Sequence, residues 1–380
     1  MKSIYKHKFS ILLTQLVIAI CIISCNGQSN VKKQTTPLIQ SQNNIDLKLN
    51  FEKGIFSIFQ DSKGNFWIGS KEEGVCKFDG NNYNYYTTAN GLPNNFVRKI
   101  QEDKKGNIWL NTGKGICFFN GKEFKTVSLK EAKNLVQFPK NQPPKKLGKW
   151  SMDDEDIWFT ANKYSVLRYS KGILENLDIP IPKEDTEYIK ERNDKPYHYP
   201  YFGIKIYQKN KGKLWIGTFN RGVIGYDGKA FEYHNPNNFG VGTIRSIFQD
   251  KEGNHWFGSN GGGVYKYDGS QYLNFTKEQG LTSSNPDYDE FGTLSRVWSI
   301  EQDKEGNMWF GTADSGLWKF DGEEIINYSI KDGLPSNFVE TIYKDNDGQL
   351  WFCTGMNSNG ILYTLKEGSF QIINSSEKKK

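Results

Sequence analysis

Apolar residues in this chain come in short runs cut by polar turns. Residues 243–276 show the pattern, with "TIRSIFQD", "NHWFGS", "GVYKYD" and "YLNFT" as four strand-length segments separated by turns. Strict apolar/polar alternation is imperfect in them. Strands buried on both faces lose that alternation, as stacked sheets require. The segments therefore predict a four-stranded antiparallel unit packed between neighbours.

The unit repeats. "DKEGNMWFGT" at 303–312 has counterparts in "DSKGNFWIGS" from Asp61, "DKKGNIWLNT" from Asp103 and "DKEGNHWFGS" from Asp250. The Trp of this phrase marks seven units, at Trp67, Trp109, Trp158, Trp215, Trp256, Trp309 and Trp351. Their spacing of 41–57 residues is near the period of a four-stranded propeller blade, with extra residues in three places. A Gly lies three residues before the Trp in six units, and unit three has Glu155 instead. An Asp lies six before it in five, at Asp61, Asp103, Asp250, Asp303 and Asp345, whereas units three and four have Met152 and Lys209. An aromatic-Asp-Gly turn follows at Phe78, Tyr226, Tyr267 and Phe320, with "FNG" at Phe119. The Asp is expected to cap a tight turn, the Gly to take a backbone conformation other residues resist, and the Trp to pack between units.

The expected fold is all-β: one ring forming a seven-bladed β-propeller over residues 45–375, with four antiparallel strands per blade. Two segments compete for the outermost strand that closes it, "IDLKLNF" (45–51) and "SFQIIN" (369–374). An aromatic content of 14% with a mean hydropathy of -0.67 agrees with many short strands carrying large side chains.

"GLPNNFVRKIQEDKKGNIWLNTGKGICFFNG" (91–121) and "GLPSNFVETIYKDNDGQLWFCTG" (333–355) resemble the two-component regulator propeller repeat. The resemblance covers residues of about 50–370; unit three keeps mainly its order and spacing. It implies the propeller fold. It also implies a sensing role, because such repeats commonly form the sensor region of hybrid histidine kinases that detect oligosaccharides. No kinase or DNA-binding pattern follows the repeats, so a separate partner in the envelope is expected, a sensor kinase or an uptake complex.

Residues 1–25, "MKSIYKHKFSILLTQLVIAICIISC", place Lys2, Lys6 and Lys8 before an apolar run that ends at Cys25. This is the order of an export signal, and "IISC" resembles a bacterial lipobox, which implies a lipid on Cys25. The body is then expected in the cell envelope, anchored by lipid at the outer membrane, with the periplasmic side favoured. Residues 26–44 read as a flexible tether and 376–380 as a basic tail. Of the net charge of +6, three Lys of the signal account for half. The body is near neutral and has no basic stripe for nucleic acid. Cys76, Cys117 and Cys353 are read as small buried hydrophobes rather than disulfide partners.

Antiparallel order puts the "DKEGN" and "YDG" turns on one face of the ring. The opposite face receives the turns between second and third strands, the inter-blade connections and the long insertions 130–147, 180–200 and 281–293. Length and variety concentrate there, and so should recognition. The candidate ligand-binding residues on that face are Arg98, Tyr199, Tyr201, Phe219, Asn220, Arg221, Arg245, Tyr288, Arg296 and Trp298. Aromatic faces beside Arg and Asn suit a glycan or a protein ligand.

Catalytic patterns are thin. His255 precedes Trp256 within a strand, and "SNGGGVYKYDG" joins two strands rather than opening a helix, which excludes a phosphate cradle. "DNDGQ" at 345–349 lacks the downstream Glu of a calcium loop. No cofactor, metal or catalytic residue is assigned. The leading reading is a non-enzymatic binding or sensing module. The alternative is a lyase-type propeller enzyme, whose metal site would need His198 or His234 with Asp287, Asp289 or Glu290.

Overall fold

The computed structural model describes residues 4–5, 49, 51, 54–127, 152–153, 155–160, 165–179, 204–210, 212–219, 222–234, 243–282, 292–354 and 360–373. They form seven antiparallel sheets, each with its strands in chain order. Blade one is Ile55–Gln60, Phe66–Ser70, Val75–Phe78 and Tyr83–Tyr86, and blade two is Val97–Glu102, Ile108–Thr112, Gly115–Phe119 and Phe124–Val127. Blade three shows three strands among the described residues, Ile157–Thr160, Ser165–Ser170 and Ile173–Asp178, so the expected four are not seen there. Blades four to six begin at Ile204–Asn210, Thr243–Gln249 and Val297–Gln302 and end at Phe231–His234, Tyr272–Asn274 and Ile325–Tyr328.

Two details differ from the sequence reading. The fourth strand of blade five stops at Asn274, whose side chain caps the short helix Phe275–Glu278. Ile4–Tyr5, inside the segment read as an export signal, pairs outside Ile325–Ile326 as a fifth strand of blade six.

Closure is resolved in favour of the C-terminal segment. Ser369–Ile372 is the outer strand of blade seven, after Thr341–Lys344, Leu350–Cys353 and Leu362–Lys366. Leu49 and Phe51 are not in a strand. They are buried with Ile55 and Ile58 of blade one and Trp351 and Leu362 of blade seven, filling the seam between the first and last blades.

Each blade-marking Trp is buried in the cluster it shares with the next blade. Trp67 packs with Val97 and Leu110, Trp109 with Phe159 and Leu174, and Trp158 with Leu214 and Ile216. Trp215 packs with Ile244 and Phe257, Trp256 with Val297 and Phe310, and Trp309 with Val339 and Phe352. Trp351 completes the circle against Ile55 and Ile68. Seven indoles thus occupy seven seams. The Gly two residues after the Trp makes room for this approach: a Cβ on Gly311 would lie 2.5 Å from Ser299 Oγ and 2.6 Å from the Val339 carbonyl oxygen.

A polar clamp also repeats across the seams. The Ser62 N–H donates to Glu102 Oε2 at 2.7 Å, and the Lys251 N–H to Gln302 Oε1 at 2.9 Å. At the closing seam the Asn346 N–H donates to Gln60 Oε1 at 2.8 Å. Cys353 Sγ adds a bond to the Ile55 carbonyl at 2.9 Å. The ring therefore closes by the contacts that join its other blades. The three described cysteines are buried and form no disulfide among the described residues; burial pushes the Cys76 and Cys117 thiols up to about 12.

Candidate functional site

The repeated phrase is engaged in architecture on the face that carries it. Asp303 Oδ1 accepts the Asn307 N–H at 2.8 Å, and Oδ2 accepts Asn307 Nδ2 and the Trp309 indole N–H, both at 2.7 Å. Gly306 sits between them with φ +101°, a left-handed conformation that favours glycine. The Asp-indole bond recurs at Asp61, Asp103, Asp250 and Asp345. A cleft of about 360 Å³ opens on this face between blades two and three, lined by residues including Asp103, Trp109, Asp156 and Tyr169. The carboxylate it offers at Asp103 is already held by Trp109 and Asn107.

The opposite end of the innermost strands is built differently. In blades one, two, four, five and six the register with the second strand shifts at one residue near the strand start: Phe56, Arg98, Lys205, Arg245 and Trp298. A bulge of this kind bends the strand and re-aims the extra residue, and bulges gather at rims and binding sites. The bulge recurs while the residue occupying it changes from blade to blade.

Two of these residues, Phe56 and Trp298, meet the next blade in a repeated geometry. Phe56 packs at 90° on Phe96 of blade two, with centroids 5.1 Å apart. Trp298 packs at 90° on Phe338 of blade seven at the same 5.1 Å. Two guanidinium groups lie on these rings: Arg245 is 4.2 Å from the Trp298 centroid, and Arg98 is 4.9 Å from that of Phe96. Stacking of this sort holds a cation in place while its edge still donates hydrogen bonds.

Arg296 is fixed by polar contacts instead. Its Nε donates to Asn260 Oδ1 at 3.1 Å and its Nη1 to Asp314 Oδ2 at 3.0 Å, tying blade five to the second turn of blade six. The turns around the mouth start from a repeated hydroxyl clamp, as where Thr312 Oγ1 donates to the Gly316 carbonyl at 2.8 Å. The Trp298 indole N–H is buried with no acceptor among the described residues.

Of the ten candidates from the sequence, the structure therefore brings Arg98, Arg245, Arg296 and Trp298 to the mouth of the channel. Phe219 is half-buried in the turn after the second strand of blade four. Tyr199, Tyr201, Asn220, Arg221 and Tyr288 lie outside the described residues, as do Cys25 and most of the three long insertions. The reading from sequence missed Phe56, Phe96 and Phe338. A signal for them exists. Counting back eleven residues from the marker Trp gives Phe56, Arg98, Arg245, Trp298 and Glu340, and counting back thirteen gives Phe96, Arg296 and Phe338, two varied columns on either side of an apolar position of the repeat.

His234 is not at this mouth. It ends the outermost strand of blade four, packed on Trp215 at 5.3 Å and Tyr272 at 5.5 Å, with Glu232 3.6 Å away. Burial and then the Lys213 charge hold its imidazole below the usual value, outweighing Glu232. His198, Asp287, Asp289 and Glu290 lie outside the described residues. Among the described residues no helix is long and apolar enough to cross a membrane.

The sequence profile of the two component regulator propeller matches residues 51–72, 91–114, 238–261, 292–314 and 333–356. These segments belong to blades one, two, five, six and seven, the five that carry the Asp-indole bond. No curated protein matches the chain. Among solved structures, the extracellular domain of a putative hybrid two component system from B. thetaiotaomicron is 20% identical with a TM-score of 0.39, over 85% of this chain and 51% of that one. This chain thus spans about half its length. Virginiamycin B lyase from Staphylococcus aureus is 16% identical with a TM-score of 0.56, over 80% of this chain and 93% of the lyase. PorZ, a surface component of the type-IX secretion system of Porphyromonas gingivalis, is 15% identical with a TM-score of 0.51, over 83% of this chain and 47% of PorZ. At these identities the likeness is one of fold.

Proposed function

Because five of its blades match the two component regulator propeller repeat, we propose that the ring is a non-enzymatic binding and sensing module of the bacterial cell envelope. It takes a glycan or protein ligand at the channel mouth and passes the event to a separate signalling partner. The observation that carries this reading is the Arg245-Trp298-Phe338 stack, in which a guanidinium lies 4.2 Å from an indole and that indole meets a third ring at 90°. Three blades contribute to it. Rigid strands hold it at the end of the ring where residue identity varies, whereas the other end repeats one structural phrase. Aromatic area beside a pre-set cation is the composition of a recognition site.

In this reading a lipid on Cys25 holds the body at the outer membrane through the tether of residues 26–44. Membrane fractionation and mass spectrometry of the mature N-terminus, with Cys25→Ser as control, test the anchor. The binding role is tested by presenting the full chain to a glycan array and to envelope extracts, beside Trp298→Ala. Binding that needs Trp298 while the melting temperature holds supports the module. Binding indifferent to Trp298, Arg245 and Arg98 sinks it.

A further inference from the structure

Blade three departs from the chemistry of the repeated phrase. In the five blades with the Asp-indole bond, the residue two before the marker Trp is an amide, Asn65, Asn107, Asn254, Asn307 or Gln349, and the capping carboxylate stands six before it. In blade three Met152 takes the place of the cap and Asp156 that of the amide. Asp156 is 6% exposed. Its Oδ2 accepts the Asp153 N–H at 2.8 Å, and its Oδ1 is buried with no partner among the described residues. A buried carboxylate oxygen left unbonded costs free energy that a donor from outside would recover.

Asp156 stands in the wall of the cleft of about 360 Å³ between blades two and three, a volume that suits a small molecule. The seam here lacks the residue that clamps others. At three seams the residue seven before the marker Trp, Glu102, Gln302 or Gln60, accepts from the turn of the preceding blade. Blade three has Ser151 at that position, which brings no amide or carboxylate. Part of the wall is aromatic: the half-buried rings of Phe118 and Tyr169 lie with centroids 4.8 and 4.4 Å from that of buried Trp109. The other acids and the lysines of the wall, among them Asp153, Glu155 and Lys171, are exposed, and Lys171 lies 4.0 Å from Asp153. Water reaches those charges, whereas Asp156 is shut away from it.

We propose that this cleft is a binding site for a small organic amine, whose ammonium group meets Asp156 Oδ1 and whose body covers Phe118 and Tyr169. An ammonium donates charge-assisted hydrogen bonds to a carboxylate, and aromatic faces favour a cation beside them. Among the described residues no group of three acidic, His or Cys side chains is placed to hold a metal ion, so the donor set favours an organic cation over a metal. The site lies at the other end of the ring from the mouth and is independent of it.

The test is calorimetric titration of the full chain with glucosamine and with cyclohexylmethylamine, beside their N-acetylated forms, which lose the charge. Asp156→Asn gives blade three the residue that four other blades carry at this position, and its amide oxygen can still accept the Asp153 N–H; the melting temperature checks that the turn is kept. The expected result is that one of the amines binds, and that N-acetylation or Asp156→Asn each weakens it roughly tenfold or more. Glu155→Gln, which alters an exposed acid of the same wall, should change it by less than about threefold. Binding by neither amine overturns the proposal. Affinity unchanged by Asp156→Asn overturns it too and leaves Asp156 as a turn residue only. An equal loss with Glu155→Gln overturns it in favour of general attraction between charges. The role of Trp298 at the mouth is decided separately by the array and extract experiment above.

Discussion

Asp303 Oδ2 accepts the indole N–H of Trp309 at 2.7 Å, and this single bond joins the tightest turn of a blade to the side chain that fills the next seam. The carboxylate that the sequence reading expects to cap a turn is spent on architecture five times over, at 2.7–2.9 Å in each case.

Asp303→Ala removes the acceptor of three hydrogen bonds and leaves a buried indole N–H unsatisfied. It should cost about 2–3 kcal/mol, read as a shift in the urea midpoint. Ligand affinity at the mouth should not change. A selective loss of binding with normal stability would contradict the structural role.

Gly311→Ala forces a methyl group to within 2.5 Å of Ser299 Oγ and 2.6 Å of the Val339 backbone oxygen. Backbone cannot yield as a side-chain tip can, so a loss of about 2–3 kcal/mol is expected. Gly322→Ala is the control for crowding, since nothing lies within 4 Å of its Cβ position. It carries backbone strain alone, its φ being +107°, and should be the milder change.

Gln60 and Gln302 make the same clamp, each amide nitrogen donating to the carbonyl of the turn glycine, Gly64 or Gly306, and each amide oxygen accepting from the preceding blade. Truncating either to Ala should cost about 1–2 kcal/mol. Equal losses in chemical denaturation would show that the closing seam is an ordinary one. A several-fold larger loss for Gln60→Ala would show that closure depends on it specially.

His255 packs 4.8 Å from Trp215, and burial first, then the Lys213 charge, lowers its imidazole from 6.5 to about 4 against the opposing pull of Asp250. A group whose folded value is depressed contributes stability that is full above its unfolded value and is lost as pH falls through the folded one. Stability should therefore decline from pH 6.5 toward pH 4, and His255→Asn should flatten that part of the profile. The Asp103 carboxylate adds a second loss at lower pH. Burial raises its value, but hydrogen bonds from Trp109 and Asn107 outweigh burial and hold it below 3.8. Thermal melts across a pH series separate the two.

The ring was legible in the chain because its signals are local and repeated. The spacing of seven Trp residues, the Gly before them and the Asp in five units each encode a turn or strand within a few residues of one another. The Asp-to-Trp spacing of six is itself a contact distance across one hairpin, as Asp61 and Trp67 show. Ring closure was less legible, since "IDLKLNF" has a strand-like pattern yet only Leu49 and Phe51 are seen in use, as buried apolar plugs. Alternation records which residues are apolar and does not record whether an edge is free to pair.

The amino-acid sequence by itself determined the fold class, the number of blades and the face committed to structure, because each depends on short-range chemistry repeated along the chain. It also placed Arg98, Arg245, Arg296 and Trp298 on the opposite face. Only the tertiary structure decided that Arg245 lies over Trp298, that Phe338 packs on Trp298 and Phe56 on Phe96, and that His234 packs against Trp215. Those neighbours are some 40 or more residues apart in the chain, except His234 and Trp215. They meet because one-residue bulges in separate blades re-aim side chains across the seams, and no local pattern specifies the angle between two blades.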